Sequence, residues 1–185
     1  MTKLLRLTTL AASVAALSLA ATPAVAAPPP TGVNSPAPGT PATARARIIT
    51  PLTLTTSRNL DFGDIVLGTV AAGGETVTVS QLGTRTACGS GGLTCTGTVT
   101  SAAYNVAGTN NQWVRIAINS GNPITLVNAN GGPGMTYTPD APARVQLVNS
   151  GAPGTDFTVG GSILVMPANL DGVYSANIDL TVEYE

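Results

Sequence analysis

Along most of this chain, apolar and polar residues alternate with a period of two, in short runs broken by Gly, Pro and Asn. From about Ala42 onward no stretch has apolar residues at i, i+3, i+4 and i+7 over three turns, so the pattern there predicts strands and not helices. The alternation places strands over 44–56, 60–67, 75–82, 94–106, 112–119, 124–128, 135–138, 144–148, 157–166 and 173–184. Pro51 marks a break or an edge position in the first of them, because proline cannot donate to a ladder. In 112–119, Trp113, Arg115 and Ala117 alternate with Val114, Ile116 and Ile118. Segments 128–134 and 149–154 are rich in residues that tolerate turn geometry. Many short strands separated by turn signals predict an all-β sandwich.

The final run is the most regular. Tyr174, Ala176, Ile178, Leu180, Val182 and Tyr184 fall on one face, and Val173, Ser175, Asn177, Asp179, Thr181 and Glu183 on the other. One face is expected to be buried and the other wet. Twelve residues at about 3.4 Å each predict a strand about 40 Å long, roughly twice the usual length. Such a strand needs partners along its whole edge. It either closes a complete sandwich or leaves an edge to be filled.

The N-terminus changes the composition. Lys3 and Arg6 precede an apolar run over 7–21, followed by Ala24-Val25-Ala26, an A-x-A site that predicts cleavage before Ala27. A run of about 15 residues is short of the roughly 20 needed to span a membrane. The reading is therefore a signal peptide over 1–26, a Pro-rich linker over 27–41 and a β-sandwich domain over 42–185, with no transmembrane segment in the mature chain. Cleavage removes the only lysine. Six arginines against nine acids then leave a side-chain charge of −3. In an exported chain, Cys88 and Cys95, seven positions apart around a Gly-rich loop, read as a structural disulfide. A zinc site without histidine and a redox pair without CxxC spacing are the weaker readings.

The same arithmetic bounds the chemistry. No basic patch is available for nucleic acid. The absence of histidine removes Ser-His-Asp and Cys-His sites and the commonest metal ligand. Asp61-Phe62-Gly63 is spelled like the kinase magnesium motif, but no phosphate loop or strand lysine accompanies it, so a strand-end turn is expected. Asp61 with Asp64, or Asp140 with Asp156, could form a carboxylate pair, yet each sits among turn residues. No calcium-loop spacing is present. The expectation is a protein that is not an enzyme, with no cofactor and no metal.

Gly172, fourteen residues from the end, the alternating apolar face and the penultimate Tyr184 resemble the C-terminal motif of chaperone–usher pilins. That resemblance implies an immunoglobulin-like, pilin- or adhesin-type sandwich that is incomplete and completed by a partner strand. It implies a structural subunit of a fimbria- or pilus-like surface assembly, joined by β-strand addition at the C-terminal edge. The implied partners are other subunits of the same or related type, a periplasmic chaperone and an outer-membrane usher; the route is periplasm, then cell surface. Gly172, Tyr174, Ile178, Leu180, Val182 and Tyr184 would line the partner-strand site. The segment Ala42, Ala44, Ala46, Ile48 is either a donor strand or the domain's own first strand. The chain also resembles an uncharacterised secreted bacterial family through Ala44-Arg45-Ala46-Arg47-Ile48, Pro51-Leu52-Thr53-Leu54, Leu60-Asp61-Phe62-Gly63, 159–165 and 172–184. The other expectation is a self-complete secreted adhesin or envelope protein that binds a ligand through loops such as 128–134.

Overall fold

A pair of adjacent glycines, Gly160-Gly161, sits in the longest strand of the protein, and the sheet changes partners there. The computed structural model describes residues 39–85, 88 and 92–185; the expected leader and most of the Pro-rich linker lie outside them. Residues 39–46 are exposed and carry no secondary structure. The rest, Arg47–Glu185, forms a separate compact unit. Among its described residues the regular structure is entirely antiparallel β.

The long strand is β10 (Thr155–Val165). Its first half pairs with β5 (Ala102–Ala107), which pairs in turn with β1 (Thr53–Arg58). From Gly160 onward it instead pairs with β8 (Met135–Asp140) on one side and, from Gly161, with β3 (Glu75–Val79) on the other. The sheet continues through β7 (Ile124–Asn128) to the short β11 (Tyr174–Ser175). Gly161 has φ +148°, and a Cβ there would lie 2.5 Å from both the Thr138 carbonyl oxygen and the Tyr137 ring. Only glycine lets the strands approach that closely. The buried Tyr137 hydroxyl donates to the Gly160 carbonyl at 2.7 Å and fastens the switch.

Two smaller sheets cover this one. β12 (Leu180–Tyr184), β6 (Trp113–Ile118) and β9 (Arg144–Gln146) form one, in that order. β2 (Asp64–Leu67) and β4 (Leu93–Thr96) form the other. Alternation now has a physical outcome: Val114 and Ile116 are buried while Trp113 and Arg115 face water. The sandwich holds two apolar cores. One joins Val106, Val114, Leu147, Phe157 and Val159 between β5–β10 and β6. The other joins Val77, Leu93, Ile124, Tyr137, Ile163 and Val165 under the β2–β4 pair. Cys88 and Cys95 are disulfide-bonded, with Cα atoms 5.8 Å apart, and pack against the second of these.

The strand expectations need four corrections. The first strand starts at Thr53, not 44, since Pro51 offers no amide and residues 39–52 enter no ladder. The expected strand over 60–67 starts at Asp64, because Gly63 turns the chain at φ +73° and accepts an Asx-type cap, its N–H donating to Asp61 Oδ1 at 2.8 Å. The stretch 94–106 splits into β4 and β5, which serve different sheets. The 40 Å final strand is likewise two strands, β11 on β7 and β12 on β6. Trp113 lies on the sheet surface, 41% exposed, with the Arg144 guanidinium 4.6 Å above its ring.

Burial raises the Tyr137 hydroxyl well above the ordinary phenol value, and burial followed by the Asp179 charge raises that of Tyr104. Both phenols therefore ionise more easily when unfolded. Their stabilisation is intact below the ordinary pKa of 10.0 and is lost as pH rises past it. Denaturant midpoints are expected to fall above about pH 10, and Tyr137→Phe should flatten that fall. At neutral pH the same substitution should cost about 0.5–1.5 kcal/mol by removing the bond to Gly160, whereas Leu147→Ala should cost about 2–5 kcal/mol.

Candidate functional site: a groove between two unpaired edges

The start and the end of the domain share both cores without sharing a ladder. Leu52 and Leu54, near β1, and Leu180, Val182 and Tyr184, from β12, all pack on the core beneath β5 and β6. Phe62 and Ile65 on one side, and Tyr174 and Ile178 on the other, pack on the second core. Leu60 touches both. Yet among the described residues β1 pairs only with β5, β2 only with β4, β11 only with β7 and β12 only with β6. Two continuous stretches, 53–67 and 172–184, thus face each other as lips of an open seam.

The lips run antiparallel. At one end the Tyr184 hydroxyl donates to the Thr50 carbonyl at 2.6 Å and accepts the Thr109 N–H at 2.7 Å. Further along, Thr56, Arg58 and Leu60 line a cleft of about 280 Å³ with Ala176, Ile178 and Asp179. Beyond Leu60 the seam widens to about 860 Å³ between residues 60–67 and 169–174, floored by Leu126, Met135, Ile163 and Val165. Residue numbers rise along one lip as they fall along the other.

The hydrogen-bonding capacity of β12 follows from its register. Thr181 lies opposite Ala117 and Glu183 opposite Arg115. Asn119 N–H donates to the Asp179 carbonyl at 2.8 Å, and Glu185 N–H to the Trp113 carbonyl at 3.1 Å. Consecutive residues of an antiparallel strand direct their N–H and C=O groups to opposite sides. The odd-numbered residues therefore bond β6, and Leu180, Val182 and Tyr184 turn their backbone groups to the seam. Their side chains point inward but stay only half-buried. An unpaired edge with a half-covered apolar face is a template for an added strand.

The six sequence-picked positions are not one uniform strip. Leu180, Val182 and Tyr184 lie on the open edge of β12. Ile178 lies in the gap where the strand leaves the ladder, and the Tyr104 hydroxyl donates to its carbonyl at 3.4 Å. Tyr174 sits on β11, its hydroxyl donating to the Leu170 carbonyl at 2.9 Å. Gly172 serves the turn: φ is +141°, and a Cβ would collide with the buried Asn128 amide. Asn128 Nδ2 in turn donates to the Asp171 carbonyl at 3.1 Å. The loop after β7 is tied to the 169–172 turn in this way. The facing lip was missed by sequence reasoning. Its signal was the Leu60-Asp61-Phe62-Gly63 block, where Phe62 meets Tyr137 edge-on at 5.9 Å and Arg85 Nη1 donates to the Phe62 and Thr96 carbonyls.

The remaining chemistry has local explanations. Asp140 Oδ1 accepts from Gln81 Nε2 at 3.1 Å and Asp156 Oδ1 from Asn105 Nδ2 at 2.6 Å, so the two carboxylates are engaged by different amides. Among the described residues no helix is long and apolar enough to cross a membrane. The disulfide is compatible with an extracellular or periplasmic protein.

Tyr184→Phe removes both bonds at the closed end of the seam and should cost about 1–2 kcal/mol in urea unfolding, with an unchanged m-value. Gly172→Ala should cost about 1–3 kcal/mol, because alanine must adopt a conformation that favours glycine while displacing Asn128.

Residues 52–184, which include both lips, match the family described as "Domain of unknown function (DUF4402)". No curated protein and no solved structure matches the chain. With nearly the whole folded unit covered by that match, the chain belongs to the DUF4402 family.

Proposed function

We propose that this domain is a structural subunit of a secreted, fimbria- or pilus-like surface assembly, joined to its neighbours by β-strand addition in the seam beside β12. In this reading the sandwich is immunoglobulin-like and lacks the strand that would close it. The observation that carries the reading is the outward-facing backbone of Leu180, Val182 and Tyr184, set against a second unpaired edge at β1. A strand laid there would satisfy those N–H and C=O groups and cover the half-exposed faces of Leu54, Leu180 and Val182. Burial of apolar area supplies about 25 cal/mol per Å² toward such an addition. The exposed, unpaired stretch 39–49 supports the same reading, because a subunit of this kind needs a segment outside its own sheets.

The register supplies a test. Val182→Pro removes an amide that points into the seam and leaves the β6 ladder whole, whereas Thr181→Pro removes an amide that β6 uses. The mature chain, residues 27–185, made in an oxidising compartment, is expected to form multimers by sedimentation velocity. Val182→Pro should yield monomers that keep a β-type circular dichroism spectrum, and Thr181→Pro should unfold. A wild-type chain that stays monomeric, stable and unaffected by added segment peptide would overturn the proposal.

A further inference from the structure

Four of the nine acids sit on the lips of the seam: Asp61 and Asp64 on one, Asp171 and Asp179 on the other. All four are exposed. The one ion pair among the described residues lies elsewhere, between Arg144 and Glu185 at 3.5 Å. Arg58 is a cation on the same lips, and its guanidinium donates to Ser101, through Nε to the carbonyl at 2.8 Å and through Nη2 to Oγ at 3.1 Å. The groove is thus apolar along its floor and, with four aspartates to this one arginine, predominantly acidic along its rim. A strand that fills it would present one face to the floor and the other to solvent at the level of that rim. Its chemistry should therefore be small or apolar residues alternating with basic ones.

The chain contains such a segment. In 42–49, Ala42, Ala44, Ala46 and Ile48 alternate with Thr43, Arg45, Arg47 and Ile49. These two arginines are a third of the six that follow the leader. The segment is exposed and unpaired, with Ile48 96% exposed. Thr50 is held at the closed end, its N–H donating to Thr109 Oγ1 at 2.8 Å and its carbonyl accepting from Tyr184.

Resting on the strand-addition reading, we propose that the seam is selective for a basic strand, and that its occupant is residues 42–49 of a second copy, with Arg45 and Arg47 set against the rim aspartates. Alanine at three of four inward positions suits the narrow part of the cleft beside β1 and β12. The arginines supply what those alanines do not, namely register and partner choice through charge. Exposed pairs are screened by salt, so association of this kind weakens as ionic strength rises.

The test uses the mature chain, residues 27–185, with self-association measured by sedimentation velocity at 0.05 M and 0.5 M NaCl. Wild-type association should weaken at the higher salt. Arg45→Glu with Arg47→Glu should weaken it roughly tenfold or more at low salt, and Arg45→Lys with Arg47→Lys should largely preserve it. Mixing the glutamate variant with an Asp171→Arg, Asp179→Arg variant should restore association between the two. Association that is insensitive to salt and to the glutamate substitutions, but lost in Val182→Pro, would overturn the charge-selective occupant and leave strand addition standing. Association that also survives Val182→Pro would remove both. A stable wild-type monomer whose 42–49 amides are protected from hydrogen exchange would show the segment seated in its own groove and overturn the second copy as occupant.

Discussion

The exchange of partners along β10 is the constraint on which the rest of the sandwich depends. One strand serves β5 with its first half and both β3 and β8 with its second. This is possible only because Gly160-Gly161 lets the backbone bend where Tyr137, Thr138 and Val79 crowd it. The Tyr137 hydroxyl then closes on Gly160. A strand that changes neighbours this way places two sets of inward residues, Phe157 and Val159 in one core and Ile163 and Val165 in the other. Two cores demand two covers. The β12–β6–β9 sheet and the β2–β4 pair fulfil that demand separately.

Separate covers leave a seam. Along the two lips the chain crosses from one core to the other, through Leu60-Asp61-Phe62-Gly63 on one and through Ala176–Asp179 on the other. At both crossings it leaves the named strands. Each crossing keeps its apolar contacts, Leu60 to both cores and Ile178 to the second, while backbone pairing falls to isolated links, Asp61 with Thr100 and the Asp179 carbonyl with the Asn119 N–H. Unpaired edges in apolar surroundings carry a cost in unsatisfied N–H and C=O groups unless water or another strand meets them. The architecture therefore leaves unpaired edges on both sides of the seam, between the first and last strands. The disulfide anchors β4 beside this place, and the Tyr184 hydroxyl closes its far end.

How much of this could be read in the sequence depends on the reach of each interaction. The stretch 112–119 was legible because one sheet, one core and one wet face impose a single alternation on it. The strand around 157–166 was legible for the same reason, although its change of partners at Gly160 was not. The stretches 60–67, 94–106 and 173–184 misled. In each, apolar alternation continues through a break in the ladder, because side chains keep burying after the backbone has left the sheet. Tyr174, Ile178, Leu180, Val182 and Tyr184 do share an inward direction, as their spacing predicts. That they divide between two cores is invisible to spacing. On the opposite lip, from Leu52 to Leu67, alternation does not reveal that the outer edge goes unpaired, and Asp61 and Asp64 read simply as turn residues.

The sequence alone determined the class of this protein: all-β by its period of two, sandwich-like by its short strands, and free of histidine chemistry by composition. Those are properties of residue type and near-neighbour order, which no tertiary arrangement can change. Only the tertiary structure decided which edges go unpaired and which residues share a core, because both depend on contacts between positions far apart in the chain. Thr50 and Tyr184, 134 residues apart, meet at the end of the seam. Nothing in either neighbourhood announces the other; the two cores bring them together.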